Sequence, residues 1–133
     1  MTEKTLTIAL MDPPYESANS TTAFRLIAAA LQKGINVNVF AYEGAVNLTM
    51  AGQTPHPNPV KGTSAEEEEH PTTKDWVSSL FKNHGDRLEW INCGLCVDER
   101  GAGDWVDGPK RGSPKEFAEW VKASDNTVVI PAK

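Results

Sequence analysis

The stretch LTIALMDPP, residues 6–14, decides the fold. Its continuous apolar run from Leu6 to Met11 has the length and character of a buried strand. Pro13 and Pro14 cannot continue a central strand, because proline has no backbone N–H to donate to a ladder hydrogen bond. The sequence therefore predicts a buried first strand that ends in a turn at Asp12.

A helix and a second strand follow. Four apolar residues recur at the spacing of one helix face: Phe24, Ile27, Ala28 and Leu31. Three polar residues before them are candidate N-caps: Asn19, Ser20 and Thr21. Gly34 ends the helix. Residues 35–40 then alternate between apolar and polar side chains, as a strand does. A strand, helix and strand of this length form a βαβ unit, which predicts a parallel sheet.

The rest of the chain continues the same alternation. A helix is predicted from Thr72 or Thr73, with His84 at its end, followed by a strand over residues 88–91. Further elements are predicted at residues 95–100 (helix), 105–106 (start of a short element), 113–121 (helix) and 127–130 (strand). Residues 45–51 favour a short helix, and residues 52–71, rich in proline and glutamate, favour a long mobile loop. We therefore expect one α/β domain over residues 1–133 with a mostly parallel sheet.

Composition narrows the class of function. The 133 residues carry a net charge of −5, with no basic stretch to indicate nucleic-acid binding or an anionic membrane surface. No apolar run approaches the roughly 20 residues of a membrane span. Two cysteines are too few for a secreted disulfide framework. We expect a cytoplasmic protein that binds neither nucleic acid nor membrane.

The pair Cys93-Gly94-Leu95-Cys96 is the most informative motif in the chain. Ligands and reactive groups collect beyond the carboxyl ends of parallel strands, and Cys93 directly follows a predicted strand. If a helix begins after it, backbone N–H groups and the helix dipole stabilise a thiolate or a persulfide anion. Cys93 is therefore the predicted reactive thiol, although a buried, unreactive cysteine is the plain alternative.

Three further residues are auxiliary candidates. Cys96 lies one helical turn beyond Cys93, as a resolving thiol or as core, and Arg100 is positioned to lower the Cys96 pKa. Tyr15 follows the first strand and is expected at the same edge of the sheet, beside the thiol or in a simple turn. A zinc site that combines both cysteines with histidines is a weaker alternative, because His56, His70 and His84 lack paired ligand spacing.

Several stretches together resemble one known family. They are the Leu6–Met11 run followed by Pro13-Pro14-Tyr15, the segment AAALQKG at 28–34, the strand VNVF at 37–40, and Cys93 followed by Arg100-Gly101. On these stretches the chain resembles the DsrE/DsrF-like (TusD-like) family of small sulfur-relay proteins. The chain departs from the family pattern at Cys96 and in the length of the 52–71 loop.

The resemblance implies a flavodoxin-like three-layer α/β sandwich that assembles as a trimer or hexamer. It also implies that Cys93, rather than Cys96, carries sulfane sulfur as a persulfide between donor and acceptor proteins, with no metal or organic cofactor. The leading hypothesis is therefore a sulfur carrier that acts like a sulfurtransferase. Two alternatives stay open: a dithiol/disulfide switch that uses Cys93 and Cys96, and a non-catalytic oligomeric binding module.

Overall fold

The computed structural model describes residues 3–57, 59–60, 62–66 and 72–132. Within these residues, five strands and four α-helices alternate, with a 3-10 helix after the second strand. The strands are β1 Thr5–Leu10, β2 Asn36–Ala41, β3 Leu88–Cys93, β4 Lys110–Gly112 and β5 Asn126–Ile130. The helices are α1 Asn19–Gln32, the 3-10 helix Glu43–Thr49, α2 Thr73–His84, α3 Gly94–Arg100 and α4 Pro114–Ala123.

The strands form one parallel sheet in the order β4-β3-β2-β1-β5. This confirms the predicted α/β class and parallel sheet. The sequence-based prediction lacked β4, because its three residues, Lys110 to Gly112, are polar or glycine and show no strand periodicity. Trp105 was expected to begin a short element, but it forms only an isolated antiparallel bridge with Met50, and its indole N–H donates to the Pro109 carbonyl at 3.0 Å.

Helices cover both faces of the sheet and make three layers. Val39 and Trp90 are register partners and share one face, where Phe24 of α1 stacks on the Trp90 ring. The next residue of β2, Phe40, points to the opposite face and stacks on Phe117 of α4 with ring centroids 5.0 Å apart. The face under α1 and α2 is thoroughly buried, whereas α4 has no fully buried residue.

The helix ends follow local chemistry, with one correction. At α4 the predicted capping box is present: the Ser113 hydroxyl accepts from the Lys115 N–H, and the Glu116 carboxylate accepts from the Ser113 N–H at 2.9 Å. At α1 the predicted polar caps are wrong. Ala18 is the N-cap, and its methyl side chain has no group that can hydrogen-bond, whereas the Asn19 side-chain amide donates to the Asp12 carboxylate at 3.0 Å.

The predicted loop at 52–71 has no helix or strand in its described residues. The Glu67 to Glu69 part of the acidic run lies outside the described residues, and the predicted mobility of the loop stays a prediction. The short helix expected at 45–51 is the 3-10 helix Glu43–Thr49. Within the described ranges, no helix is both long and apolar enough to cross a bilayer.

Candidate functional site

Cys93 is the last residue of β3 and the N-cap of α3, at the carboxyl edge of the sheet as predicted. β3 lies between β2 and β4, so the residue is held by strands on both sides. Its backbone pairs with Gly112 in β4. The Cys93 side chain is only 2% exposed and belongs to the hydrophobic core. Cys93 is therefore a buried free thiol on a rigid scaffold.

Cys96 lies beside Cys93, and its thiol hydrogen-bonds to the Cys93 side chain. A second contact fixes it: the backbone N–H of Glu43 donates to the Cys96 Sγ at 3.1 Å. Glu43 follows the end of β2 and has a φ of 50°, which is uncommon for a residue other than glycine. The end of β2 and the first turns of α3 thus meet at the sulfur of Cys96.

Burial raises the pKa of the Cys96 thiol above its ordinary value, and the hydrogen bond with Cys93 raises this pKa further. The Glu43 N–H and the positive charge of Arg100 act in the opposite direction but are outweighed. Arg100 lowers the Cys96 pKa as predicted, but burial and the Cys93 thiol outweigh its effect. The Arg100 guanidinium also donates to the Cys96 carbonyl at 3.3 Å and lies 3.7 Å from Glu99.

Arg111 supplies a positive charge that the sequence analysis missed. Its guanidinium lies against Gly94, where a Cβ atom would come within 2.9 Å of the Arg111 Cζ, Nε and Nη2. Asp98 holds the guanidinium through two bonds, at 3.0 Å and 2.7 Å. These bonds raise the Arg111 pKa and lower the Asp98 pKa, and attraction to Cys93 adds to the rise for Arg111. A cation thus lies against Gly94, the residue that follows Cys93.

The predicted helix begins directly after Cys93, but it is short. α3 has seven residues, and the Cys93 side chain makes no capping hydrogen bond to it. The field of a helix macrodipole depends on its aligned peptide units, so a helix of two turns contributes less than a long one. The Arg111 guanidinium interacts electrostatically with Cys93.

Tyr15 is 57% exposed at the turn after β1, with a φ of 68°. Its ring packs edge-to-face on His56, with centroids 5.9 Å apart. Its predicted place beside the thiol stays a prediction. His84 ends α2 as expected, and His70 lies outside the described residues. No group of three potential metal ligands occurs in the part of the chain that the structure describes.

A buried chain of hydrogen bonds supports the end of β3. The Trp90 indole N–H donates to the Asn92 carbonyl oxygen at 3.1 Å, and the Asn92 amide donates to the Thr49 hydroxyl at 3.0 Å. Thr49 in turn donates to the Val46 carbonyl at 3.4 Å. The first three side chains are almost fully buried. Asn92 precedes Cys93, so this chain ties the site to the 3-10 helix that begins with Glu43.

Comparison with known proteins now decides the family. The model of the DsrE/DsrF-like family matches residues 4–130. The chain belongs to the DsrE/DsrF-like family. Two archaeal relatives are both named as uncharacterized proteins: MK0008 of Methanopyrus kandleri is 26% identical over 125 residues, covering 92% of this chain and 91% of the relative. MJ0989 of Methanocaldococcus jannaschii is 27% identical over 127 residues, covering 93% and 97%.

A solved structure carries the same fold. The crystal structure of the ychN protein from E. coli superposes with a TM-score of 0.76 at 22% identity, covering 97% of this chain and all of that one. This DsrE/DsrF-like chain therefore has the predicted fold. Family membership suggests a sulfur-relay type of function, and the two adjacent cysteines are chemically suited to it.

Proposed function

We propose that this DsrE/DsrF-like protein is a sulfur carrier that holds sulfane sulfur as a persulfide on Cys93. The observation that carries the proposal is the place of Cys93: at the carboxyl end of an interior strand, one residue from the guanidinium of Arg111. Thiolates and persulfide anions are negatively charged, so a fixed cation nearby favours both. The family match over residues 4–130 supports the same chemistry.

Loading and release are two nucleophilic displacements. The Cys93 thiolate attacks the outer sulfur of a donor persulfide, R–S–SH. The S–S bond breaks, R–S⁻ leaves with the electron pair, and Cys93 carries –S–SH. An acceptor thiolate then attacks that outer sulfur, takes it as its own persulfide, and regenerates the Cys93 thiolate. No net oxidation or reduction occurs in either step.

Cys96 has a supporting part in this proposal. Its raised pKa keeps the thiol protonated near neutral pH, so its S–H is available to donate to the Cys93 sulfur. The Glu43 N–H fixes the Cys96 sulfur at 3.1 Å and so orients this donor. In this role Cys96 stabilises negative charge on Cys93 without itself carrying the sulfur.

The proposed partners are sulfur donor and acceptor proteins in the cytoplasm, with the carrier assembled as a trimer or hexamer. Support for assembly comes from the sheet face under α4. There an apolar cavity of about 230 Å³ remains open between the sheet and α4, and Val129 on its wall is 51% exposed. In the proposed assembly a second subunit covers this apolar opening.

Intact-protein mass spectrometry after incubation with a persulfide donor tests the carrier function. Wild type is expected to gain one sulfur atom, which a reductant removes, and Cys96→Ser is expected to gain it too. Cys93→Ser is expected to gain none. Loading of Cys93→Ser at the wild-type rate would refute the assignment, and indifference of all activity to either cysteine would favour the binding module.

A second candidate function is a dithiol/disulfide switch, favoured by the hydrogen bond between the two thiols. The Cys93 thiolate would attack a disulfide oxidant R–S–S–R and release R–S⁻. The Cys96 thiolate would then displace the second R–S⁻ and form the Cys93–Cys96 disulfide. This function needs both cysteines. Full activity of Cys96→Ala would exclude it, because the carrier alone works with a single thiol.

A further inference from the structure

Arg111 is a charged side chain beside the site that is open to solvent. It lies in the edge strand β4, and its guanidinium rests against Gly94 at the first turn of α3. Its side chain is 52% exposed, so a molecule that approaches from solvent reaches it directly. The guanidinium can lie this close to Gly94 because glycine has no Cβ atom.

The partner of Arg111 is easily exchanged. Asp98 occupies both terminal nitrogens of the guanidinium through a two-point contact, yet the Asp98 side chain is itself 60% exposed. Exposed ion pairs contribute little net free energy, because both groups are well solvated when apart. A carboxylate, sulfonate or polysulfide anion therefore replaces Asp98 at low cost and makes the same fork-like contact.

Beside the donor proteins proposed above, the geometry points to small anionic sulfur compounds as donors to Cys93, selected by Arg111, with Asp98 as the resting occupant of its guanidinium. This inference rests on the proposed carrier function and adds the chemical class of the donor. An anion bound by the guanidinium lies beside Gly94, the residue that follows Cys93 in the chain. Other charges near the site differ: Arg100 is directed at the Cys96 carbonyl, and Glu99 lies beside Arg100.

Two thiol reagents that share a leaving group and carry opposite charges test this inference: sulfonatoethyl and trimethylammonioethyl methanethiosulfonate. Each leaves its alkylthio group on the thiolate sulfur and releases methanesulfinate, and mass spectrometry gives both rates. A Cys96→Ser background makes Cys93 the single thiol. Two unit charges about 6 Å apart in water, here those of Arg111 and of a reagent, interact by roughly the thermal energy. Asp98 offsets part of this interaction. Arg111→Gln is therefore expected to lower the ratio of the anionic reagent's rate to the cationic reagent's rate by about threefold.

Three matched variants complete the test. Gly94→Ala keeps every charge but displaces the guanidinium, so it is expected to lower the ratio as Arg111→Gln does. Asp98→Asn frees the cation and is expected to raise the ratio. Arg100→Gln removes an equal charge from the same region and is expected to change the ratio less than Arg111→Gln. Circular dichroism confirms the fold of each variant.

An unchanged ratio in folded Arg111→Gln and Gly94→Ala overturns the inference, as does an equal effect of Arg100→Gln. The loading rate of Cys93 with inorganic tetrasulfide, a dianion, is expected to fall in parallel with the reagent ratio. The reagents react with Cys93 without any transfer of sulfane sulfur. Failure of the carrier function and failure of the role of Arg111 can therefore be told apart. A shifted ratio without any loading refutes the carrier function alone, and loading with an unchanged ratio refutes the role of Arg111 alone.

Discussion

Asn92→Ala breaks the buried hydrogen-bond chain that precedes Cys93. The substitution leaves the Trp90 indole N–H without its 3.1 Å acceptor, whereas the Thr49 hydroxyl keeps its bond to the Val46 carbonyl. A buried donor without a partner costs about 1–3 kcal/mol. The small cavity left by the amide adds about 1 kcal/mol. We expect a loss of about 3 kcal/mol in the free energy of unfolding.

Urea unfolding followed by circular dichroism measures this loss. Asn38→Ala is the matched control, because Asn38 lies half-buried in the neighbouring strand and makes one 3.4 Å bond to the Thr7 hydroxyl. Its expected cost is below about 1 kcal/mol. A second test uses Trp90→Phe, which removes the donor: the double variant is expected to be more stable than the sum of the single effects predicts. Equal costs for Asn92→Ala and Asn38→Ala would refute the reasoning.

Three further predictions concern the cap of α4, the second thiol and a glycine turn. Ser113→Ala is expected to lower the free energy of unfolding by about 1 kcal/mol in a urea titration, because the helix loses its N-cap. Separately, hydrogen bonds with Ser113 lower the Glu116 pKa, so the stabilisation by ionised Glu116 is present above the ordinary glutamate pKa and is lost as the pH falls through the lowered pKa. The same dependence of stability on acidic pH in wild type and Ser113→Ala would contradict this role of Glu116. The midpoint of Cys96 alkylation against pH is expected above the ordinary thiol pKa, and a midpoint at or below that value would oppose the burial argument. Gly108→Ala, at a φ of 119° with its Cβ placed 2.5 Å from a ring carbon, is expected to lower the melting temperature, whereas Gly52→Ala, with open space around its Cβ, is expected to leave it nearly unchanged.

The fold was largely predictable because its signals are local. The run from Leu6 to Met11 and the helical spacing through Leu31 each lie within one element, and the capping box at Ser113 lies within four residues. β4 was missed because its pairing with β3 comes from the sheet register and not from any apolar pattern of its own. The N-cap of α1 was wrong because Asp12 competes for the Asn19 side chain.

The site was predictable only in part. Cys93 follows a strand, which is a local signal. The Glu43 N–H that contacts Cys96 comes from 53 residues earlier in the chain and requires a positive φ at Glu43. The approach of Arg111 to Gly94 depends on the register of β4 and on the missing Cβ, and neither is visible in the residue types alone. Long-range geometry therefore determines the electrostatics around a thiol whose position is locally encoded.

The transfer step tests the central claim most directly. Wild-type protein loaded with isotopically labelled sulfane sulfur is freed of donor and mixed with an excess of an acceptor thiol, and label is then followed on both molecules by mass spectrometry. A sulfur carrier is expected to lose label from Cys93 while the acceptor gains it in equal amount, with Cys93→Ser carrying none at the start. Label that stays on the protein, or that leaves wild type and Cys93→Ser alike, would contradict it.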